Sequence, residues 1–275
     1  MSTLKFTTAG SGDPLLLVHG IGDTRAAWTT VLEPLARTHQ VFAVDLPGFG
    51  ASLPLGPDDI PSPQALARAV ASWMDEHALE KVHVVGSSLG GWVALELAHL
   101  GRARTVLGLS PAGFASDREQ RRARTMLRLA RSTAMRLAPP HRGVSPRLRR
   151  VLSPAAMRVL THSSMVAKPW RWPADEAITS LEALAAASGW DGTLSALEGV
   201  RYAAPADGLP VPVTLLWGAK DRLLPASQRF RVREVLPHAR TGVLPGCGHL
   251  PMWDDPDLVV RAVLDAASQT VPAAS

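Results

Sequence analysis

The stretch Val82-His83-Val84-Val85-Gly86-Ser87-Ser88-Leu89-Gly90-Gly91 decides the fold of this 275-residue chain. A short apolar run here breaks into the pattern Gly-x-Ser-x-Gly, which is typical of a strand that turns abruptly into a helix with a serine at the apex. Glycines two positions before and after the serine are needed because a larger side chain would collide in so tight a turn. Only Ser88 has glycine at both positions, since Val85 stands two residues before Ser87. The stretch therefore predicts Ser88 as a nucleophile exposed at the carboxyl end of a strand.

Partners for this serine follow later in the chain. A serine hydroxyl is a poor nucleophile until a base accepts its proton and a third group holds that base in the right tautomer. Asp221 comes three residues after the apolar run Val213–Gly218, and His249 lies in a glycine-rich loop after Val243-Leu244. Each of the three residues thus stands just beyond a predicted strand, in the order nucleophile, acid, base.

Two further motifs extend this pattern, so that the chain resembles the α/β-hydrolase family over nearly its whole length. They are Leu17-Val18-His19-Gly20-Ile21-Gly22 and Asp45-Leu46-Pro47-Gly48-Phe49-Gly50, which are similar to the family's oxyanion loop and to the turn after its following strand. The oxyanion of acyl transfer needs two preorganised N–H donors. The backbone N–H of Leu89, at the helix start, is one candidate, and the resemblance implies that Ile21 supplies the other.

The remaining polar residues of these motifs receive structural interpretations. Some relatives carry the acid after the preceding strand, but that position here reads Ser110-Pro111-Ala112-Gly113 without a carboxylate, so Asp221 is the predicted acid. We interpret His19 as a residue that stabilises the oxyanion loop and Asp45 as a turn residue. Cys247 lacks a histidine arrangement of its own, and we expect it to serve packing.

The order of predicted elements indicates an α/β fold with a mostly parallel central sheet flanked by helices. Apolar strands alternate with helical patterns before residue 113 and after residue 209, which is typical of a parallel sheet covered on both faces. Between them, helical patterns occupy 117–137, 154–166, 173–187 and 193–202. The resemblance implies that this insertion is a cap domain. We therefore predict a core from residues 1–113 and 209–275, with an all-helical cap over 114–208.

A serine at the elbow restricts the chemistry. Haloalkane dehalogenases and most epoxide hydrolases of the family place aspartate there, because a carboxylate can displace halide or open an epoxide. Ser88 instead indicates cleavage of a carboxylic ester, lactone or thioester through an acyl-enzyme. Carbon–carbon hydrolases of β-diketone-type substrates are the alternative. Trp253 follows His249 as an aromatic residue does in them, but Gly22-Asp23-Thr24-Arg25 replaces their glycine- and proline-rich loop. A small-molecule receptor on the same fold is the second alternative.

Composition excludes several partners. The net charge is +5 with a pI near 10.1, yet 25 arginines against 4 lysines in an Ala-, Pro- and Gly-rich chain suggest codon bias. Without a zinc-finger, RNP or helix-turn-helix signature, we expect no nucleic-acid partner. No apolar run approaches the roughly 20 residues of a membrane span, so we expect no membrane partner either. A small-molecule substrate is the expected partner, and the sequence leaves the oligomeric state open.

Location and cofactors follow from similar observations. The first ten residues hold no apolar segment typical of a secretory signal, and the single Cys247 suits a reducing compartment, so we expect a cytoplasmic protein. The nine histidines show no His-Glu-x-x-His or cysteine-rich spacing. We therefore expect neither a metal nor a cofactor.

The predicted cap is strongly basic. Residues 118–150 contain eleven arginines and one acid, Glu119. Along the helix predicted over 117–137, one face carries an apolar stripe, and most arginines fall elsewhere. The stripe consists of Met126, Leu127, Ala130, Ala134 and Leu137. We therefore expect the arginines to face solvent, and an apolar pocket lined by cap leucines and methionines with Trp170 or Trp172.

Overall fold

A seven-stranded sheet forms the centre of the protein, whose structure, a computed structural model, describes residues 4–140 and 142–269. The strands are β1 (Phe6–Ala9), β2 (Asp13–Val18), β3 (His39–Val44), β4 (Val82–Ser87), β5 (Ala103–Leu109), β6 (Val213–Gly218) and β7 (Arg240–Leu244). Their spatial order is β1-β3-β2-β4-β5-β6-β7. Only β1 is antiparallel to its neighbour, so the prediction of a mostly parallel sheet is confirmed.

Helices connect the strands and supply the layers on either side of the sheet. In the described residues they are α1 (Thr29–Ala36), α2 (Pro63–Glu76), α3 (Leu89–His99), α4 (Asp117–Leu137), α5 (Pro146–Leu152), α6 (Ala155–His162), α7 (Ala174–Ala186), α8 (Trp190–Ala196), α9 (Arg229–Val235), α10 (Pro251–Asp254) and α11 (Pro256–Ala267). A 3₁₀ turn over Arg25–Trp28 leads into α1. None of these helices is both long and apolar enough to cross a lipid bilayer.

The two faces of the sheet are buried by different helices. Successive side chains of a strand point to opposite faces, so a strand covered on both sides reads as a continuous apolar run. In β2, Leu15 and Leu17 pack with residues of α1 and α11. Leu16 and Val18 pack on the other face with residues of α2, α3 and α9. The apolar run of β2 is thus explained by a core on each side of the sheet.

Strand register brings the candidate residues to one edge of the sheet. Ser87 at the end of β4 pairs with Leu109, Leu109 pairs with Leu216, and Gly218 pairs with Leu244. Parallel neighbours end on the same side, where ligands bind in open α/β sheets. The loops that follow β4, β6 and β7 therefore start side by side.

Between β5 and β6, the described residues form the helices α4 to α8 and a 3₁₀ turn over Pro169–Arg171, joined by irregular connections. Helices α4, α5 and α7 enclose a small apolar core of their own. Its buried residues are Ala134, Ala138, Val144, Leu152, Ile178, Leu181 and Ala185. The interpretation of residues 114–208 as a cap domain stays a prediction, and residues 1–3 and 270–275 of the predicted core segments lie outside the described residues.

The observed ends of a helix match the predicted ends where a local capping residue sets them. They differ from the prediction where contacts with distant residues set them. Helix α4 begins after Ser116, whose hydroxyl accepts a hydrogen bond from Glu119 N–H, and it covers 117–137 as predicted. The helix predicted over 193–202 instead runs from Trp190 to Ala196. Gly199 then adopts a left-handed conformation, with φ +69°, and Tyr202 N–H donates to Gly113 O. These contacts end the helix early.

Candidate active site

Ser88 sits in a left-handed turn between β4 and α3. Its φ is 54° and its ψ is −116°, a conformation that a residue with a side chain adopts only when its surroundings enforce it. A Cβ on Gly86 would lie 2.0 Å from Gly90 O, and one on Gly90 would lie 2.1 Å from Val18 O. Both glycines of the motif are therefore required by space, as the sequence predicts.

The loop that follows β2 lies directly against Ser88. A Cβ on Gly20 would be 3.1 Å from Ser88 Cβ, so a larger residue at this position would press on the serine. Ile21 and Leu89 line the same small cavity as Ser88. Leu89 is the first residue of α3, and its N–H therefore has no partner within the helix. In the described residues Ile21 N–H donates to no hydrogen bond either.

His19 and Asp45 hold this loop in place. His19 Nδ1 donates to Gly20 O at 2.7 Å, and its Nε2 accepts a hydrogen bond from Leu46 N–H at 2.9 Å. Burial lowers the pKa of His19, which favours the neutral ring that these two bonds require. Asp45 is fully buried, accepts from Arg25 N–H and forms an ion pair with the Arg25 guanidinium. Both residues therefore fix the loop, and both ring nitrogens of His19 are engaged in hydrogen bonds.

His249 and Asp221 form a buried hydrogen-bonded pair. His249 Nδ1 donates to Asp221 Oδ2 at 2.8 Å, and the two residues are 1% and 8% exposed. The other oxygen of Asp221 accepts hydrogen bonds from Leu223 N–H and Leu224 N–H, each at 2.8 Å. The carboxylate is thus oriented by the backbone that follows it, and His249 Nε2 remains to accept a proton.

The serine hydroxyl makes no hydrogen bond within residues 4–140 and 142–269, and neither does His249 Nε2. The backbone of Ser88 is fixed, since its N–H donates to Leu109 O at 2.9 Å and its carbonyl accepts from Ala112 N–H at 2.9 Å. The side chain is therefore the freely rotating part of the residue. Contacts between nucleophile and base commonly tighten only when substrate is bound.

Asp254 organises the histidine loop, a role that sequence reasoning missed. Its carboxylate accepts three backbone hydrogen bonds, from Gly248 N–H at 2.7 Å, Ala167 N–H at 2.9 Å and Lys168 N–H at 2.7 Å. Leu250 N–H also donates to Met165 O at 2.9 Å. One buried acid thus joins the loop of His249 to the connection between α6 and α7.

The serine lines one of two adjoining apolar cavities. The smaller, of about 70 Å³, is lined by Ser88 and Leu89 and reaches toward α4 and α8. The larger, of about 740 Å³, lies among helices α4 to α7. They share Ile21 and Leu127 in their walls, so they adjoin beside the oxyanion loop. The larger volume is within the range of sites that enclose a drug-sized ligand.

The larger cavity has a mostly apolar lining, as the sequence predicts. Its apolar residues from the helical segment are Met126, Leu127, Leu129, Ala130, Leu137, Leu148, Val151, Leu152, Met157, Leu160, Met165, Trp172, Leu181, Leu184 and Trp190. Trp172 is therefore a lining residue, whereas Trp170 is half exposed and lies elsewhere. No lysine or arginine lines this cavity in the described residues.

Two polar groups in the larger cavity carry shifted pKa values. Burial raises the pKa of Asp23, next to the oxyanion loop, to about 6. Burial lowers the pKa of His162 to about 4, and its Nε2 donates to Ala177 O at 3.1 Å. His162 is therefore a neutral packing residue.

The expectation that the arginines of α4 face solvent is wrong for two of them. Arg124 lines the small cavity near Ser88 and forms an ion pair with Glu198. Arg131 lies over the ring of Trp190, 5.7 Å from its centre, and donates to Ala187 O at 3.1 Å. All three partners lie between residues 187 and 198, and the apolar stripe of α4 alone could not predict these contacts.

Comparisons with known proteins identify the family. The profile of the alpha/beta hydrolase family matches residues 15–262, and the chain therefore belongs to the alpha/beta hydrolase family. A pimeloyl-[acyl-carrier protein] methyl ester esterase of Aeromonas hydrophila is 28% identical over 256 residues, which cover 92% of this chain and 95% of that protein. A 2-hydroxy-6-oxononadienedioate/2-hydroxy-6-oxononatrienedioate hydrolase of Dechloromonas aromatica is 24% identical over 272 residues, which cover 95% of this chain and 89% of that protein.

Among solved structures, this chain is similar to a membrane phospholipase A described as a bacterial virulence factor. The TM-score is 0.72 at 25% sequence identity, and the match covers 97% of this chain and 84% of that one. Esterases and other hydrolases are thus found among the relatives of this protein, which is a hydrolase of the same family.

The role of Asp254 can be tested by truncation. Asp254→Ala leaves three backbone N–H groups, one buried and two partly buried, without their acceptor, so we expect the free energy of unfolding to fall by about 3 kcal/mol. Urea denaturation measures this change. Asp257→Ala, in the exposed first turn of α11, is the matched control and should have a much smaller effect. Equal losses in the two variants would contradict the assigned role.

Proposed function

We propose that this protein is a serine hydrolase that cleaves a carboxylic ester through an acyl-enzyme on Ser88. The observation that carries the proposal is the buried hydrogen bond between His249 and Asp221, at the same sheet edge as the strained Ser88 turn. A base held by an acid, at the same edge as a serine that lines a cavity, is the arrangement that activates a hydroxyl. Lactones and thioesters fall within the same chemistry.

Acylation begins with attack of Ser88 Oγ on the acyl carbon. His249 Nε2 accepts the hydroxyl proton as the C–O bond forms, and Asp221 stabilises the imidazolium through Nδ1–H. Collapse of the tetrahedral intermediate breaks the bond to the leaving alkoxide, which takes the proton from His249. The alcohol leaves, and the acyl group remains as an ester of Ser88.

Deacylation repeats these steps with water. His249 accepts a proton from the water, whose oxygen attacks the acyl carbon, and then returns the proton to Ser88 Oγ as the acid departs. This chemistry uses only groups of the chain, so the proposal requires no metal or cofactor.

The proposed oxyanion hole consists of the backbone N–H groups of Ile21 and Leu89. Both residues border the small cavity at Ser88, and the helix start at Leu89 adds a partial positive charge. His19 and Asp45 act through the loop that carries Ile21, because they fix its backbone. Donors that are fixed before the reaction need no reorganisation as charge develops on the oxygen.

The cavities favour an uncharged acyl group as substrate. The walls of the larger cavity are mostly aliphatic and aromatic, with no basic side chain in the described residues to pair with a carboxylate. The Aeromonas hydrophila relative is named for a methyl ester, which supports the ester class. We infer a neutral ester whose apolar part occupies the larger cavity.

Carbon–carbon hydrolysis is the second candidate because the Dechloromonas aromatica relative is named for a dioate substrate. Arg124 beside Ser88 is the one basic group near the serine in the described cavity walls. Its ion pair with Glu198 already neutralises it, which argues against recognition of a substrate carboxylate there.

We retain a cytoplasmic location as part of this proposal. Burial raises the pKa of the Cys247 thiol to about 11, which keeps it protonated and unreactive at neutral pH. No disulfide is needed for this fold, and the sheet and helices supply the core.

Replacement of Ser88 tests the nucleophile. Ser88→Ala should lower kcat for a p-nitrophenyl ester by several orders of magnitude and abolish labelling by a fluorophosphonate, because the acyl-enzyme cannot form. Ser87→Ala is the matched control and should retain activity and labelling. A wild-type protein without turnover or labelling would favour the receptor alternative.

The acid is tested by an isosteric change. Asp221→Asn keeps the shape of the side chain but no longer stabilises the imidazolium or its tautomer, so kcat should fall by as much as about 10⁴ with KM little changed. Steady-state kinetics on the same ester measure the loss. A variant with near wild-type kcat would show that Asp221 is a turn residue only.

Charge preference separates the two candidate functions. We expect kcat/KM to be higher for p-nitrophenyl hexanoate than for the mono-p-nitrophenyl ester of adipic acid, which adds a terminal carboxylate. Added salt should change the value for hexanoate little, since no charged group recognises it. The neutral-substrate proposal would be contradicted if the carboxylate ester were preferred and if both salt and Arg124→Gln removed that preference. Faster cleavage of a β-diketone than of the esters would favour carbon–carbon hydrolysis.

A further inference from the structure

Three apolar side chains of the large cavity are also exposed on the protein surface. Leu129 of α4 is 67% exposed, Val151 of α5 is 56% exposed and Leu160 of α6 is 75% exposed, yet each lines the cavity. The cavity therefore reaches the surface at side chains of these three helices. We call this opening, formed by Leu129, Val151 and Leu160, the cavity mouth. Isolated exposed leucines are ordinary, but a cluster around one opening marks an interaction site.

Exposed arginines surround the cavity mouth. Residues seven apart share a helix face, so Arg122 and Arg136 lie on the same face of α4 as Leu129. Arg147 lies four residues before Val151 on α5. All three arginines are exposed, and none forms an ion pair within the described residues.

Four acids of α4 and α7 are already paired with other arginines. Asp117 and Glu119, in the first turn of α4, form ion pairs with Arg201 and Arg231. Asp175 and Glu182 of α7 pair with Arg149. The rim of the cavity mouth is thus positive, while its centre is apolar.

This combination selects one kind of occupant. A second copy of the chain would place arginines against arginines, which like charge disfavours. An anionic lipid bilayer matches both features, because arginines pair with phosphate headgroups while the leucine and valine tips enter the interface below them. We propose that the cavity mouth docks on an anionic lipid bilayer.

The proposal gives the large cavity a route for its ligand. An acyl chain held in the bilayer would enter the apolar cavity at Leu129 and Leu160 without crossing water, and its ester group would approach Ser88 past Leu127. This part rests on the proposed hydrolase function. Docking at the surface of a bilayer requires no membrane-spanning helix. The prediction of no membrane partner rested on the lack of a long apolar run, and that observation does not bear on surface docking.

Co-sedimentation with vesicles tests the proposal directly. The protein should pellet with vesicles of equal parts phosphatidylcholine and phosphatidylglycerol, and much less with phosphatidylcholine alone. Binding should weaken as salt rises, since the screening length falls from about 10 Å at 0.1 M to about 3 Å at 1 M. Absence of binding to the anionic vesicles at low salt would overturn the proposal.

Matched variants locate the surface. Arg136→Gln and Arg147→Gln should each weaken binding by about fivefold, as expected for one cation near an anionic surface. Leu160→Ser should weaken it further and remove what binding persists at high salt. The controls Arg37→Gln and Leu100→Ser lie at the ends of α1 and α3, on the opposite edge of the sheet, and should bind as wild type. Equal losses in the controls would contradict the location.

Two further outcomes separate the explanations. If the protein does not bind the anionic vesicles, and analytical ultracentrifugation shows a dimer that Leu160→Ser dissociates, the cavity mouth is a contact between copies and the proposal fails. Sedimentation needs no turnover, so a chain that binds vesicles without cleaving esters would refute only the hydrolase function. A protein that cleaves esters but does not bind the vesicles would refute only the proposed docking.

Discussion

Close backbone packing at the start of α3 is the constraint on which the rest of the site depends. Gly90 lies so near Val18 O that no Cβ fits between them, and Gly86 lies equally near Gly90 O. This packing presses the first turn of the helix against the end of β2. The strained conformation of Ser88 and the position of the loop with Ile21 both follow from it. A steric requirement between backbones thus sets the distance between the proposed nucleophile and the proposed oxyanion donors.

Buried carboxylates position the loops around that point. Asp45 fixes the loop after β2, Asp221 fixes its own turn and the imidazole of His249, and Asp254 fixes the loop that carries His249. Each of the three accepts hydrogen bonds from backbone N–H groups. A buried carboxylate is stable only when such donors surround it, so each acid and its loop must be ordered together. The sheet supplies the common edge, and these acids supply the rigidity.

The sequence predicts well those features whose cause is local. Ser88, Asp221 and His249 each follow a strand within a few residues, so topology alone brings them to one edge. The α5 helix is absent from the predicted helices although it carries a local signal, since Ser145 and Pro146 repeat the cap of α2, Ser62 followed by Pro63.

Features set by distant partners lie beyond sequence reasoning. Asp254 accepts hydrogen bonds from Ala167 and Lys168, which lie 87 and 86 positions earlier in the chain. No local sequence pattern predicts these contacts. Arg124 lies off the apolar stripe of α4, as a solvated residue would, yet Glu198 draws it to the wall of the small cavity. In both cases the deciding group comes from another part of the fold. The fold class was therefore predictable from the chain, whereas the environment of the site was not.

The attachment of residues 165–168 to the histidine loop has a consequence for how this protein can diversify. Met165, Ala167 and Lys168, in the connection between α6 and α7, are held by Leu250 and Asp254 of the histidine loop. Helices α4, α5 and α6 precede this connection and build most of the large cavity. Their sequences can drift, lengthen or be exchanged while the connection keeps the histidine loop in place. The walls of the large cavity and the position of His249 can therefore change independently in evolution.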